Sequence, residues 1–176
     1  MDTKLNSLFD SSVDQLTQLS KTLSTLTDAK YTAESHALPG STIGKHVRHI
    51  LDHFTLLFTA LSADPHHNVS YSHRERNSFA QDSVAGGITS IEAMAQTARQ
   101  LRDQTGAHST DAITISDTMT DGNEEQFTST VGRELWFCIH HMIHHNAIIA
   151  SLMHELGLHP PTQFAYAPSS IKHKPQ

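Results

Sequence analysis

The 176-residue chain contains one cysteine, Cys138, so no disulfide can form within it. Its opening residues, MDTKLNSLFDSS, lack the basic and then apolar layout of a secretion signal. Together these two absences lead to the expectation of a cytoplasmic protein in a reducing compartment. No apolar run approaches the roughly 20 residues that span a bilayer, which argues against a membrane partner. The Asn68-Val69-Ser70 sequon is then accidental. Cationic residues are scarce, with 12 Lys and Arg against 18 Asp and Glu for a net charge of −6. Nucleic acids are bound by Lys and Arg that neutralise phosphates, so that class of partner is excluded too. The short run Lys172-His173-Lys174 reads as a solvated tail. Glycine and proline are also few, at 8 and 6, and 37% of residues are apolar, so the composition is neither disordered nor fibrous. The length suits one domain across residues 1–176.

What the chain has in excess is histidine. Its 15 histidines outnumber Lys and Arg combined. Imidazole is the commonest metal ligand and titrates near neutrality, so the composition itself points to a site.

Apolar residues recur at helical steps in four places. Leu5, Leu8, Phe9, Leu16, Leu19, Leu23 and Leu26 lay a stripe along a first helix from about Thr3 to Asp28. Ser41 or Thr42 caps a second helix whose stripe runs through Ile43, Val47, Ile50, Phe54, Leu57 and Leu61, ending near Ser62. Residues 63–77 show no apolar period and read as a long connection, a length that is usually functional or disordered. A third helix falls between Ser78 and Thr105, with Gly86-Gly87 as its weak point. AITIS and QFTST are β-prone, and Asp121-Gly122 between them signals a hairpin. A fourth helix starts near Ser129 or Thr130, carries RELWFCIHHMIHHNAIIASLMHEL and stops at Gly157, with Pro160-Pro161 beyond. The expected fold is all-α: a four-helix bundle with a small β-hairpin insertion before the last long helix.

The α-helix turns about 100° per residue, so His141 and His145 share a side, and Glu134, Cys138, Ile148 and Leu152 lie on it too. That side is the apolar one, which aims both imidazoles inward. Buried imidazoles without partners cost roughly 1 to 3 kcal/mol for each unmade hydrogen bond, and a metal ion removes that cost. His140 and His144 lie further round the helix and read as solvent-facing or supporting. In the second helix His46, His49 and His53 flank the apolar stripe, and spacing does not choose which of them completes a three-histidine set.

STIGKHVRHILDH and, much later, TVGRELWFCIHHMIHHNAIIASLMHELG resemble the DinB-like superfamily of metal-binding four-helix bundles. That family carries one histidine in the second helix and a pair four positions apart in the last long helix. The resemblance spans nearly the whole chain. It implies His49 as the helix-two ligand, after the opening Thr42-Ile43-Gly44, and His141 and His145 as the pair. Many relatives follow the last histidine with Arg-Gly-Gln, where this chain has Asn146-Ala147-Ile148. His46, His53 and His144 are additional, with His53 a candidate fourth ligand or proton shuttle.

Three neutral imidazoles leave a divalent ion with open positions, the arrangement of catalytic rather than structural zinc. Zinc is the first expectation, with nickel or iron as alternatives. The resemblance implies a metal-dependent enzyme of transferase or hydrolase type, thiol-dependent in some relatives, acting on a small molecule whose identity is not legible. A non-catalytic metal-binding or dimerisation module of the same fold is the alternative, and a homodimer is a candidate assembly under either reading. Cys138 reads as a buried inert thiol. Glu134 reads as a group that orients a ligand, pairs with Arg48, or complements the helix dipole. Tyr71, Arg74 and Arg76 are candidates for holding an anionic substrate group at the mouth.

Overall fold

The computed structural model describes residues 2–63, 68–72, 79–167 and 170. They form a mostly helical fold with five helices and a small sheet of three strands. Helix α1 (Thr3–Leu23) begins at Asp2, whose carboxylate accepts the amides of Lys4 and Leu5. It buries Leu5, Phe9, Leu16, Leu19 and Leu23. The sequence carries this helix to Asp28, but it stops at Leu23. There the backbone switches to i−3 bonds, the Thr25 amide donating to the Thr22 carbonyl and the Leu26 amide to the Leu23 carbonyl, which tighten and close the last turn. A single turn, α2 (Asp28–Tyr31), follows under a Thr27 cap.

Helix α3 (Ile43–Ser62) starts where Thr42 Oγ1 accepts the Lys45 amide at 3.1 Å, and its expected apolar stripe is buried throughout. Helix α4 (Val84–Gln104) is capped by Ser83. The expected weak point, Gly86-Gly87, falls in its first turn, and a side chain at Gly87 would meet the Tyr31 hydroxyl at 2.4 Å. Tyr31 is fully buried and donates to the Ala80 carbonyl, which pins the short 3-10 turn Phe79–Gln81 beside the head of α3. Helix α5 (Val131–Glu155) starts at a Thr130 cap and ends ahead of Gly157, whose φ of +73° is the left-handed conformation that glycine takes freely. Helix α1 packs on α4 and α5, and α3 packs on the same two helices. No helix among the described residues is long and apolar enough to cross a membrane.

The expected hairpin forms from β2 (Ala112–Thr118) and β3 (Glu124–Thr130), turning at Gly122 with φ +85°. The sheet has a third strand, however. β1 (Asn68–Ser70), from the stretch read as a long connection, pairs parallel with β2, setting Val69 against Ile115. Three residues are too few to show a period, so only tertiary pairing reveals this strand. Strand order is β1-β2-β3, and β1 packs on α3.

Candidate metal centre

Helices α3 and α5 pack side by side, and each offers histidines four residues apart: His49 and His53 on α3, His141 and His145 on α5. The rings interleave. The Nε2 atoms of His49 and His141 face one another at 2.9 Å, a contact that accommodates one proton or one cation between them but not two N–H groups. The His53 ring lies 4.1 Å from that of His141 and 4.6 Å from that of His49, centre to centre. One ring nitrogen from each of His49, His53 and His141 lies within 4.8 Å of the other two. His53 is buried and its Nδ1 lies 3.0 Å from the His49 carbonyl. That acceptor holds the proton on Nδ1 and leaves Nε2 as a lone-pair donor, as expected of an imidazole that ligates metal. An all-imidazole donor set of this size fits a borderline divalent cation such as Zn²⁺, Ni²⁺ or Fe²⁺.

His145 lies on the other side of the His49–His141 edge, its ring 4.5 Å from each. Its Nδ1 meets His46 Nδ1 at 2.8 Å, and His46 Nε2 meets Ser41 Oγ at 2.7 Å. Ser41 and His46 thus form a short chain that fixes the His145 ring. Burial, reinforced by the neighbouring imidazoles of His49, His141, His46 and His144, pushes His145 down from 6.5 to about 2. Burial and then His144 also lower His46. Both rings are therefore neutral at pH 7, the state a cation requires.

Beyond His53 the wall is aromatic and acidic. Tyr71 stacks on His53 at 5.1 Å and donates its hydroxyl to Glu134 Oε2 at 3.0 Å. Phe137 lies against both Tyr71 and His141. Glu134 is fully buried, and its Oε1 accepts from Ser129 at 2.6 Å and Arg133 at 2.7 Å. Its guanidinium partner is Arg133; Arg48, the partner in one of the three roles read for Glu134, instead donates to Gln81 and lies 3.9 Å from Asp52. Burial, followed by the charges of Cys138 and Glu134, raises Tyr71, so it stays a neutral donor. Cys138 is buried behind it, and desolvation pushes its thiol up to about 12.

Of the residues singled out from sequence, His49, His53, His141, His145, His46, Tyr71 and Glu134 gather around this one region. His140 faces solvent against Trp136, and His144 is exposed at the rim with its ring 5.2 Å from that of His145. Arg74 and Arg76 lie outside the described residues. Asn146, where many relatives carry arginine, sits fully buried in the α5 core stripe between Met142 and Ile149. Its side-chain amide has no hydrogen-bond partner among the described residues. Sequence reasoning ranked His53 behind His145. The signal for it was present, because His49 and His53 repeat on α3 the four-residue spacing that marked His141 and His145 on α5.

The sequence model of the DinB family matches residues 1–172 of the chain. A shorter stretch is similar to FK506-binding protein 5 of Rhizopus delemar, with 47% identity over 53 residues. That match covers 30% of this chain and 14% of the relative, so the chain spans only a small part of that protein's length. No solved structure matches.

Proposed function

The chain belongs to the DinB family, and from that premise we propose that it is a four-helix-bundle protein that binds one divalent metal ion and acts as a metal-dependent enzyme on a small molecule. The observation that carries this is the convergence of His49, His53 and His141 from two helices within coordinating range. We assign His49 and His141 as the shared edge of the site, His53 as the third ligand and His145 as the ligand on the opposite side. Zinc is the expected ion. When bound, such an ion lowers the pKa of a coordinated water toward about 7 and polarises a carbonyl or holds a thiolate. The protein's own contribution is the wall: the Tyr71 ring stacks on His53 with its hydroxyl committed to Glu134, and Phe137 keeps the adjacent space apolar. Cys138 is too buried and too strongly protonated to serve as a nucleophile at neutral pH, so a thiol used in transfer would have to come from a co-substrate. Reaction type, transferase or hydrolase, follows the family resemblance rather than the geometry.

One observation favours a second reading. With His145 flanking the same edge as His53, four imidazoles are available, and a closed four-ligand shell is the structural arrangement, in which the ion braces the helices.

The test is metal analysis of untagged protein. The expected result is one ion per chain, lost in His49→Ala and His141→Ala and kept in His140→Ala. His53→Ala and His145→Ala then identify the third and fourth ligands by their separate losses of affinity. Chelation that strips the ion while leaving the helical circular-dichroism signal intact supports the open site. Collapse of that signal supports the structural one. Protein that neither co-purifies with nor binds a divalent ion overturns the reading.

A further inference from the structure

The hairpin leaves β3 on the outside of the sheet, with no strand beyond it among the described residues. Two hydrogen bonds fix which of its backbone groups face outward. Met119 N–H donates to the Asn123 carbonyl, and Val131 N–H donates to the Asp111 carbonyl. In the β2–β3 register these are pairs of odd-numbered residues, so odd positions bond across the hairpin. Glu124, Gln126 and Thr128 therefore aim their amides and carbonyls away from β2, and Thr130 its amide, its carbonyl serving the first turn of α5. A seven-residue edge of this kind, with no proline and no lysine, is a template for another strand.

The side chains say which strand. Paired residues in a sheet share a face, and Val69 pairs with Ile115, which pairs with Phe127. Val69 is buried and Ile115 packs against the core, but Phe127, at the end of the row, is 51% exposed. The apolar row runs off the edge of the molecule. Phe127 is also the middle residue of β3, so an antiparallel copy related by a two-fold axis through Phe127 brings all seven residues into register. Gln126 then meets Thr128 of the second copy, Glu125 meets Ser129 and Glu124 meets Thr130. No carboxylate opposes another, and the two acidic ends lie about 20 Å apart at roughly 3.4 Å per residue, beyond the screening length of about 8 Å. Moving the axis to Glu125 would instead set like charges face to face.

We propose that β3 is a self-association edge: two copies of the chain pair β3 to β3 antiparallel about Phe127, joining two three-stranded sheets into one of six strands. The outward-facing even residues supply the hydrogen-bonded rings, and Phe127 with its symmetry mate forms the non-hydrogen-bonded pair at the axis. That pair type brings Cα atoms to about 4.5 Å, close enough for a disulfide. The proposal is independent of the metal reading.

The test uses the full chain. Analytical ultracentrifugation should show a dimer, and Phe127→Glu, which sets two carboxylates against each other at the axis, should weaken it at least 100-fold with an unchanged circular-dichroism spectrum. Because Phe127 is half exposed, that variant should keep its fold. Thr128→Pro, which removes an outward amide, should weaken the dimer as well. Phe127→Cys should yield a disulfide-linked dimer under mild oxidation, whereas Glu125→Cys should not, since buried Cys138 takes no part. A monomer at 100-micromolar concentrations, a dimer indifferent to Phe127→Glu, or failure of Phe127→Cys to cross-link overturns the proposal.

Discussion

The Cys138 thiol lies in the wall of the histidine cluster, 3.8 Å from the Tyr71 hydroxyl and 3.8 Å from the His53 carbonyl, where water does not reach. With its pKa raised to about 12, the thiolate fraction at pH 8 falls to about one in 10,000, against roughly one in four for an ordinary cysteine. Iodoacetamide at pH 8 should therefore alkylate the folded protein roughly 1,000-fold more slowly than the urea-unfolded chain. Mass spectrometry over a time course checks this, and rapid labelling of the folded form would overturn the reading of Cys138 as an inert buried thiol. The histidines were only partly legible at this scale. A step of 100° per residue was enough to turn His141 and His145 inward, because both lie on the apolar side of one helix. Whether His53 or His145 stands closer to the His49–His141 edge depends on how α3 and α5 are rotated against each other, which no single helix records. Tyr71 and Glu134 meet across 63 positions of sequence, and no local pattern links them.

Helix α3 carries three of the clustered histidines, so its seating decides where they point. A Cβ at Gly44 would come within 2.2 Å of the Gln81 carbonyl oxygen and 2.8 Å of the Tyr31 ring. The nearer atom is backbone and the Tyr31 ring is pinned through its hydroxyl, so neither can step aside. Forcing a methyl group into such a contact costs about 1 to 3 kcal/mol, which lowers Tm by about 2 to 12 °C in a chain of this size. Gly44→Ala should show that loss and also weaken metal binding, because the head of α3 moves with His46 and His49 on it. Gly106→Ala, with open space around its Cβ, is the control. Equal melting temperatures for the two variants would mean the close approach at Gly44 relaxes without cost. Elements with strong periodicity were the readable ones: four long helices, two of them begun at the expected caps Thr42 and Thr130, and a hairpin turned at Asp121-Gly122. What escaped was short or locally balanced. Strand β1 is three residues long, and α1 ends where its backbone tightens into i−3 bonds at Thr25 and Leu26, although the apolar spacing runs on to Leu26.

For the molecule as a whole, the buried imidazoles tie folding to pH. In the unfolded chain His145 titrates near the ordinary 6.5, but in the folded protein it titrates at about 2, and His46 is lowered in the same direction. Between those values the unfolded state binds more protons than the folded one, so stability rises with pH. This contribution is complete above 6.5, erodes as pH falls below it, and is spent once pH passes the folded value. Each such group costs about 1.4 kcal/mol per pH unit inside the window, or about 3 to 5 °C of Tm for this length. Carboxylates held low by hydrogen bonds, Asp2 by Ser109 and Leu5 and Glu155 by His36 and Ser35, act only below the ordinary carboxylate range. The interval from pH 7 to pH 5 therefore isolates the histidines. Chelator-treated protein should lose several degrees of Tm across that interval, and His145→Leu should flatten the slope even where it changes Tm at pH 7. A saturating divalent ion should raise the whole curve and steepen it, since the ion and the protons compete for the same nitrogens. A metal-free Tm that stays constant from pH 7 to pH 5 would mean that the imidazoles between α3 and α5 take up protons without opposing the fold, and that their neutrality is not built into the packing of these two helices.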